Sequence, residues 1–301
     1  MTGGSDPGTP SQASEAVSQV MEHPWVDEMG ELTEQAILEG RGLRKSFGGV
    51  MAVAAVDLQA YTGEIVALIG PNGAGKTTMF NLISGVHTLD SGEVLFDGRS
   101  IRGLPPHRIA ALGLVRTFQN LQVFGSMTVL ENVMVGCHLR SRAGFLAAGL
   151  RLRWAKAEEC RTRERGLGLL QRVGLASRAE DLASNLPFGQ QRLLEIVRAL
   201  AAEPRLLMLD EPGAGLTQEE KARLGDLIRE IQQEGVTVLL VEHDVDMVMG
   251  LAYRVYVLDY GQLIAQGTPQ EVQADSRVIE AYLGAGWGQE DPAPGPSVGS
   301  G

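Results

Sequence analysis

Eight consecutive residues in the first third of the chain fit the pattern G-x-x-x-x-G-K-[ST]. They are Gly70, Pro71, Asn72, Gly73, Ala74, Gly75, Lys76 and Thr77. Glycines let backbone N–H groups wrap a phosphate, and a helix that begins near Lys76 points the positive end of its dipole at the same anion. The Lys76 ammonium reaches the β- and γ-phosphates, the Thr77 hydroxyl is placed for Mg²⁺, and Thr78 is next in line to contact a phosphate. The pattern therefore predicts a site for the phosphates of a nucleotide.

Two neighbouring acids follow an apolar segment further along the chain. Residues 206–209 read LLML and lead directly into Asp210 and Glu211. A buried strand that ends in two acids places both carboxylates at the carboxyl edge of a sheet. Asp210 is then placed to hold Mg²⁺ through water, and Glu211 to polarise an attacking water. Without the Lys76–Thr77 motif the pair would indicate only two exposed acids; with that motif upstream it predicts a hydrolytic site.

Two further polar residues end apolar strands. His243 follows the segment VTVLLV, and Gln119 follows the predicted strand at 114–118. A histidine at a strand end is commonly structural, but in a nucleotide site it could sense the γ-phosphate. The Gln119 amide could reach Mg²⁺ or the attacking water. Neither residue identifies a function by itself.

The elements that position these residues alternate between strand and helix. Short, continuous apolar runs are typical of strands buried on both faces. Such runs lie at residues 65–69, 206–209 and 236–241. Because helical segments separate them, the pattern predicts an α/β sheet. Two N-terminal segments, at 36–43 and 50–58, are predicted as further strands, and a mainly helical block at 128–185 interrupts the alternation and is a candidate subdomain.

Charge is unevenly distributed along the 301 residues. The formal net charge is −11, which disfavours a general nucleic-acid binder. Residues 1–35 hold seven acids and no Lys or Arg, and residues 285–301 hold two acids and no base. Both segments are rich in Gly, Ser and Pro, so we predict disordered tails around a nearly neutral body.

Compartment is indicated by the two cysteines and by the start of the chain. Cys137 and Cys160 show no metal-site spacing and are predicted to be reduced thiols. The N-terminus lacks the pattern of a secretory signal, and no apolar run reaches the length of a membrane span. These features predict a cytosolic protein.

In their order along the chain, these motifs resemble an ATP-binding subunit of an ABC transporter. The resemblance covers about residues 37–284 and includes LPFGQ at 186–190, a signature segment that other phosphate-loop proteins lack. It implies a P-loop NTPase fold of the ABC type, with a mixed sheet core, an antiparallel β subdomain and a helical subdomain at about 120–188. The implied ATP-binding domain spans residues 36–284.

The signature departs from the usual LSGGQ. Pro187 replaces the Ser and removes an N–H donor, and Phe188 replaces the first Gly. Gly189 and Gln190 match, and the resemblance implies that Phe188, Gly189 and Gln190 contact ATP. It also places Phe47 where the family stacks an aromatic residue on adenine, although a core Phe is the competing interpretation.

The resemblance assigns further roles by position. Gln119 maps to the Q-loop glutamine and His243 to the switch histidine. Residues 214–217 map to the D-loop but lack its usual Asp, so Thr217 is expected to act mainly as a helix cap. The implied catalytic residues are Glu211, His243, Lys76 and Gln119. The implied Mg²⁺ ligands are Thr77, Gln119 and Asp210.

The segments RTFQN, MTVLENV, EPGAGL and VEHDVDMVMG look like those of importers for branched-chain or other hydrophobic amino acids. The resemblance implies an ATPase that uses ATP and Mg²⁺ at the cytoplasmic face of the inner membrane. Its implied partners are a second ATP-binding subunit, identical or different, the permease subunits and, indirectly, a substrate-binding protein, with no nucleic acid. Alternatives are an ABC ATPase for urea, amides or lipopolysaccharide export, and a soluble ABC ATPase acting on DNA or ribosomes. The last class usually has two cassettes or a long coiled-coil insert, which this sequence lacks.

Overall fold

The computed structural model describes residues 36–117, 122–137 and 153–283, with side chains throughout except at 153–158 and 283. The predicted tails at 1–35 and 285–301 lie outside these ranges, as does Gln119. The bounds predicted for the tails and for the helical subdomain stay predictions.

An antiparallel sheet of four strands lies at the N-terminal side of the described chain. Its strands are β1 (Leu38–Phe47), β2 (Val50–Ala60), β4 (Ser91–Phe96) and β5 (Arg99–Ser100), in the order β2-β1-β4-β5. The prediction that the first strand ends at residue 43 is wrong. Residues 44–47 continue the strand because they pair with residues 50–54 across the turn at Gly48 and Gly49, through irregular register that breaks the alternation of apolar residues.

A mixed sheet of six strands forms the centre of the fold. Its strands are β3 (Ile65–Ile69), β6 (Leu114–Arg116), β7 (Leu206–Asp210), β8 (Thr237–Val241), β9 (Arg254–Asp259) and β10 (Gln262–Gly267), in the order β10-β9-β3-β8-β7-β6. All neighbours are parallel except β10, which is antiparallel to β9. The predicted α/β class with a mixed sheet and an antiparallel β part is confirmed.

Helices lie on both faces of the mixed sheet. They are α1 (Lys76–Ile83), α2 (Pro106–Ala111), α3 (Val129–Cys137), α4 (Arg153–Arg172), α5 (Phe188–Leu200), α6 (Gln218–Gln233), α7 (Val245–Leu251), α8 (Pro269–Ala274) and α9 (Ser276–Leu283). Helix α6 begins with a capping box in which the Thr217 side chain and the Glu220 side chain each bind the other's backbone N–H, which agrees with the expected role of Thr217 as a helix cap. None of the helices in the described part of the chain has the length and hydropathy that a bilayer span requires.

Alternate residues of the buried strands pack against different layers. Leu206 and Met208 belong to the core shared with β1, β2 and α1, whereas Leu207 and Leu209 belong to the core shared with α5, α6 and α7. This two-sided burial is why the central strands are continuous apolar runs. A third core lies between α3, α4 and α5 and includes Leu170, which is fully buried.

Candidate functional site

The candidate site lies at one edge of the mixed sheet. Strands β3, β8, β7 and β6 are parallel neighbours, so their carboxyl ends meet at that edge. Gly70 follows β3, His243 follows β8 by one intervening residue, and Asp210 ends β7. The strand order therefore gathers side chains that are far apart in sequence, as is usual for ligand sites of α/β sheets.

The phosphate loop requires glycine at specific positions. Gly70 has φ 149° and Gly75 has φ 103°, conformations that other residues rarely adopt. A Cβ on Gly70 would overlap the carbonyl oxygen of Leu258, and a Cβ on Gly75 would overlap that of Ala52. The backbone can curve as it does only because these two side chains are absent.

The turn between β9 and β10 braces the same loop. The Gly261 N–H donates to the carbonyl oxygen of Ala74 at 2.9 Å, and the Gly261 carbonyl accepts from the Ala54 N–H at 2.8 Å. Gly261 has φ 77° and packs against Ala52. Sequence reasoning missed the role of Gly261 in supporting the loop.

Lys76 lies inside the loop that precedes it. Its side chain is nearly buried, and its Nζ donates to the carbonyl oxygens of Gly70 at 2.6 Å and Pro71 at 3.0 Å. Burial lowers the pKa of the Lys76 ammonium, while the nearby carboxylates of Glu211 and Asp210 oppose that shift. The ammonium is thus held at the centre of the predicted anion site, and an anion there would offer it stronger acceptors than two carbonyl groups.

Asp210 is a buried carboxylate with two different oxygens. Its Oδ2 accepts from the Arg116 guanidinium at 2.7 Å, whereas Oδ1 is buried and has no hydrogen-bond partner among the described residues. Burial raises the pKa of Asp210, and Arg116 opposes the rise. An orphaned carboxylate oxygen suits a hard cation or its bound water. The exposed Thr77 hydroxyl, in the first turn of α1, is a second oxygen donor of the kind such a cation prefers.

Glu211 occupies a strained backbone conformation directly after β7. Its φ is 48°, its N–H donates to the carbonyl oxygen of Val241 at 2.9 Å, and its own carbonyl accepts from the Ala214 N–H at 3.2 Å. The carboxylate interacts electrostatically with both Lys76 and Asp210. Non-glycine residues in this conformation are concentrated at functional sites, and here the turn places an acid beside the loop and the buried carboxylate.

His243 and its neighbour Glu242 differ sharply in exposure. The His243 side chain is 59% exposed, and its Nδ1 lies 3.8 Å from Glu242 Oε2. The Glu242 side chain is buried and accepts from the Gly213 N–H at 2.6 Å, and burial raises its pKa. Glu242 therefore connects the end of β8 to the segment that follows Glu211. Sequence reasoning missed this residue, although an acid directly before the histidine of VEHD was the available signal.

The start of α5 packs against the segment that caps α6. A Cβ on Gly189 would overlap Oε1 of Glu220, and the Phe188 ring lies 3.0 Å from the point that a Cβ on Gly215 would occupy. Phe188 remains 47% exposed, and Gln190 accepts from the Arg178 guanidinium at 2.9 Å. The signature residues are thus fixed against the D-loop segment of the same chain. Pro187 is the N-cap of α5 and gives no side-chain cap, and the helix begins at Phe188.

Phe47 lies at the exposed end of β1. Its side chain is 44% exposed, its ring meets the His87 ring edge-on at 5.3 Å, and the Lys45 ammonium lies 5.3 Å from its centroid. The interpretation of Phe47 as a core residue is wrong. An exposed aromatic face can stack on a flat base.

Comparison with known families gives two matches. The ABC transporter family model matches residues 53–214. The model of the branched-chain amino acid ATP-binding cassette transporter matches residues 262–287, which include β10 and the two terminal helices.

Curated relatives match nearly their full length. The high-affinity branched-chain amino acid transport ATP-binding protein LivG of Escherichia coli K12 is 43% identical over 251 residues, which is 83% of this chain and 98% of LivG. The high-affinity branched-chain amino acid transport ATP-binding protein BraF of Pseudomonas aeruginosa is 43% identical over 249 residues, which is 82% of this chain and 98% of BraF.

Solved structures of the same kind superpose well. The ADP conformation of an ATP-binding cassette from an ABC transporter has a TM-score of 0.73 at 32% identity, with 83% of this chain and 100% of that chain covered. A nucleotide-free ATP-binding cassette from an ABC transporter gives a TM-score of 0.72 at 32% identity, with 82% of this chain and 99% of that chain covered.

Proposed function

Because this chain belongs to the ABC transporter family, whose ATP-binding domain hydrolyses ATP, we propose that it energises the import of branched-chain amino acids. The observation that carries the substrate class is the near full-length match to LivG and BraF, both named as branched-chain amino acid transport ATP-binding proteins. The match of residues 262–287 to the branched-chain family model supports the same assignment from a separate part of the chain.

In this proposal, the loop at residues 70–75 and the side chains of Lys76 and Thr78 bind the phosphates of ATP. Phe47 stacks on the adenine, which its exposed ring supports. Thr77 and Asp210 hold Mg²⁺, and the orphaned Oδ1 of Asp210 supports that role. Gln119 is proposed as a further ligand. When bound, Mg²⁺ neutralises charge on the β- and γ-phosphates.

Glu211 polarises the water that attacks the γ-phosphate in line. Its position beside Lys76 and Asp210 supports this role, because both of those groups belong to the phosphate and metal sites. Lys76 and His243 stabilise the charge that spreads over the γ-phosphate in the transition state. The exposed imidazole of His243 is accessible for this contact.

ATP is proposed to bind between two ATP-binding subunits arranged head to tail. Residues 188–190 of one subunit face Lys76 and Asp210 of the other. The Phe188 side chain is 47% exposed, which supports its availability for a partner's nucleotide. ATP then favours the closed pair, and hydrolysis releases it, so the coupling is a difference in binding between two states.

The remaining partners are permease subunits in the inner membrane and, through them, a substrate-binding protein. The subunit would lie at the cytoplasmic face of that membrane. The names of LivG and BraF as transport ATP-binding proteins support this placement.

The test is transport by the complete complex in proteoliposomes. The full chain is combined with the permease subunits, the binding protein and, where the two ATP-binding subunits differ, the second ATP-binding subunit of the same transporter, and uptake of radiolabelled leucine, isoleucine and valine is measured with and without internal ATP. We expect ATP-dependent uptake of at least one of them, and none with Glu211→Gln. Uptake of urea or amides in place of these amino acids, with ATP hydrolysis intact, would overturn the substrate class.

A further inference from the structure

Arg116 is a partly buried arginine at the candidate site, and neither the motifs nor the comparisons assign it a role. It is the last residue of β6, which lies beside β7 in the mixed sheet. Its Nη2 donates to Oδ2 of Asp210 at 2.7 Å, and the two side chains are 10% and 0% exposed. The residues are 94 positions apart, so the strand order alone brings them together.

The other terminal nitrogen of the Arg116 guanidinium, Nη1, binds helix α1. Its Nη1 donates to Oδ1 of Asn81 at 2.7 Å and to Oγ of Ser84 at 3.0 Å, and its Cζ lies 5.5 Å from the centroid of the Phe80 ring. Helix α1 begins at Lys76, directly after the phosphate loop. One side chain therefore joins the buried carboxylate of β7 to the helix that carries the phosphate site.

The two oxygens of Asp210 are used unequally as a consequence. Oδ2 is held by Arg116, and Oδ1 is the buried oxygen that has no partner among the described residues. A carboxylate anchored through one oxygen has a fixed orientation, because rotation about its terminal torsion would break the ion pair. The second oxygen then keeps one direction in which to meet a cation or its water.

We propose that Arg116 is a positioning residue for the metal site, which orients Asp210 toward Mg²⁺ and fixes that carboxylate against helix α1. The inference rests on the proposed function, because it takes Mg²⁺ at Thr77 and Asp210 as given. Groups that form hydrogen bonds to a metal-ligating side chain typically contribute about 10- to 100-fold to metal affinity. A lysine cannot replace the planar fork that reaches Asp210, Asn81 and Ser84 together.

A competing role for Arg116 predicts that its removal changes the affinity for Mg²⁺ in the opposite direction. If Arg116 were only a counter-ion that balances Asp210 until the metal arrives, its charge would compete with Mg²⁺. Removal of the guanidinium would then strengthen metal binding. The direction of the change therefore separates positioning from charge balance.

The experiment measures binding of a fluorescent ATP analogue to the full chain, first in EDTA and then along a Mg²⁺ titration. Wild type is compared with Arg116→Gln and Arg116→Lys. The matched control is Arg254→Gln, which breaks the ion pair to the buried Glu64 at 3.4 Å, at the amino-terminal ends of β3 and β9 on the opposite edge of the sheet. Thermal unfolding is recorded for every variant.

For both Arg116 variants we expect a rise of about 10- to 100-fold in the Mg²⁺ midpoint, which is the Mg²⁺ concentration that gives half of the maximal enhancement of analogue binding. Binding of the analogue in EDTA should be unchanged. The control should leave both quantities unchanged. An unchanged or lowered Mg²⁺ midpoint in both variants would overturn the inference.

A milder variant serves if the Arg116 variants fail to fold. Asn81→Ala keeps the ion pair and the hydrogen bond to Ser84 and removes only the hydrogen bond from Nη1 to Asn81, and it should raise the Mg²⁺ midpoint by a smaller factor. An unchanged midpoint in this variant would then count against the inference. A wild-type protein that binds the analogue with no response to Mg²⁺ would overturn the proposed metal site itself, which distinguishes the two failures.

Discussion

Glu211→Gln removes one negative charge from the candidate site while keeping the shape of the side chain. The backbone there does not depend on the carboxylate, because the Glu211 N–H donates to Val241 at 2.9 Å and its carbonyl accepts from Ala214 at 3.2 Å. We therefore expect the variant to fold. ATP binding should persist as well, since Lys76 and the loop before it are untouched.

The loss should fall on the chemical step. A positioned general base contributes about 10²- to 10⁴-fold to a rate, which corresponds to about 2.7–5.4 kcal/mol in the activation barrier. Glu211 is the acid that interacts with both Lys76 and Asp210. Because those two groups remain in the variant, we expect bound ATP to persist as a trapped species rather than to dissociate.

The assay is single-turnover ATP hydrolysis by the assembled complex, together with the amount of ATP that stays bound through gel filtration. Glu219→Gln is the matched control, since Glu219 is an exposed acid in the first turn of α6. We expect slow hydrolysis and retained ATP for Glu211→Gln only. Near-wild-type turnover in that variant, with the partners present, would refute the assignment of Glu211.

Three further variants test the surrounding structure. Gly75→Ala would place a Cβ against the carbonyl oxygen of Ala52 at φ 103°, so we expect about 1–3 kcal/mol of strain and weak ATP binding by equilibrium titration. Thr217→Ala should lower the free energy of unfolding in urea by about 0.5–2 kcal/mol, whereas Thr217→Ser should retain the cap. Burial raises the pKa of Glu242 in the native state above its pKa in the unfolded state. The contribution of Glu242 to the free energy of unfolding therefore falls as the pH rises from the unfolded-state pKa through the native-state pKa. Glu242→Gln keeps an acceptor for Gly213 without titrating, so its unfolding temperature relative to wild type should increase over that pH range; a constant difference would contradict this reasoning.

Local patterns were sufficient for the central strands and for the caps. The strand at residues 65–69 was predicted to the residue, because a continuous apolar run of this length is typical of a strand buried on both faces. The cap at Thr217 was also predicted, and it forms a capping box with Glu220 three residues further on. The end of β1 was wrong, because its last residues pair across an irregular register that leaves no alternating pattern.

The candidate site divides in the same way. The phosphate loop and the acids at 210 and 211 are recognisable from sequence because their chemistry needs specific residue types at fixed spacing. The residues that support these groups are not recognisable from sequence. Gly261 binds the phosphate loop at Ala74 and Glu242 binds the Gly213 N–H, and only these hydrogen bonds reveal their roles.

The sequence by itself determined the family, the phosphate loop and the order of the motifs, because each of these depends on residues that are close together in the chain. Only the tertiary structure decided which side chains contact and position the residues of the site. Arg116 and Asp210 are 94 residues apart and meet because β6 and β7 are neighbours, and Gly189 meets Glu220 because α5 packs on the start of α6. Strand order and helix packing are set by burial of the whole core, which no local pattern records.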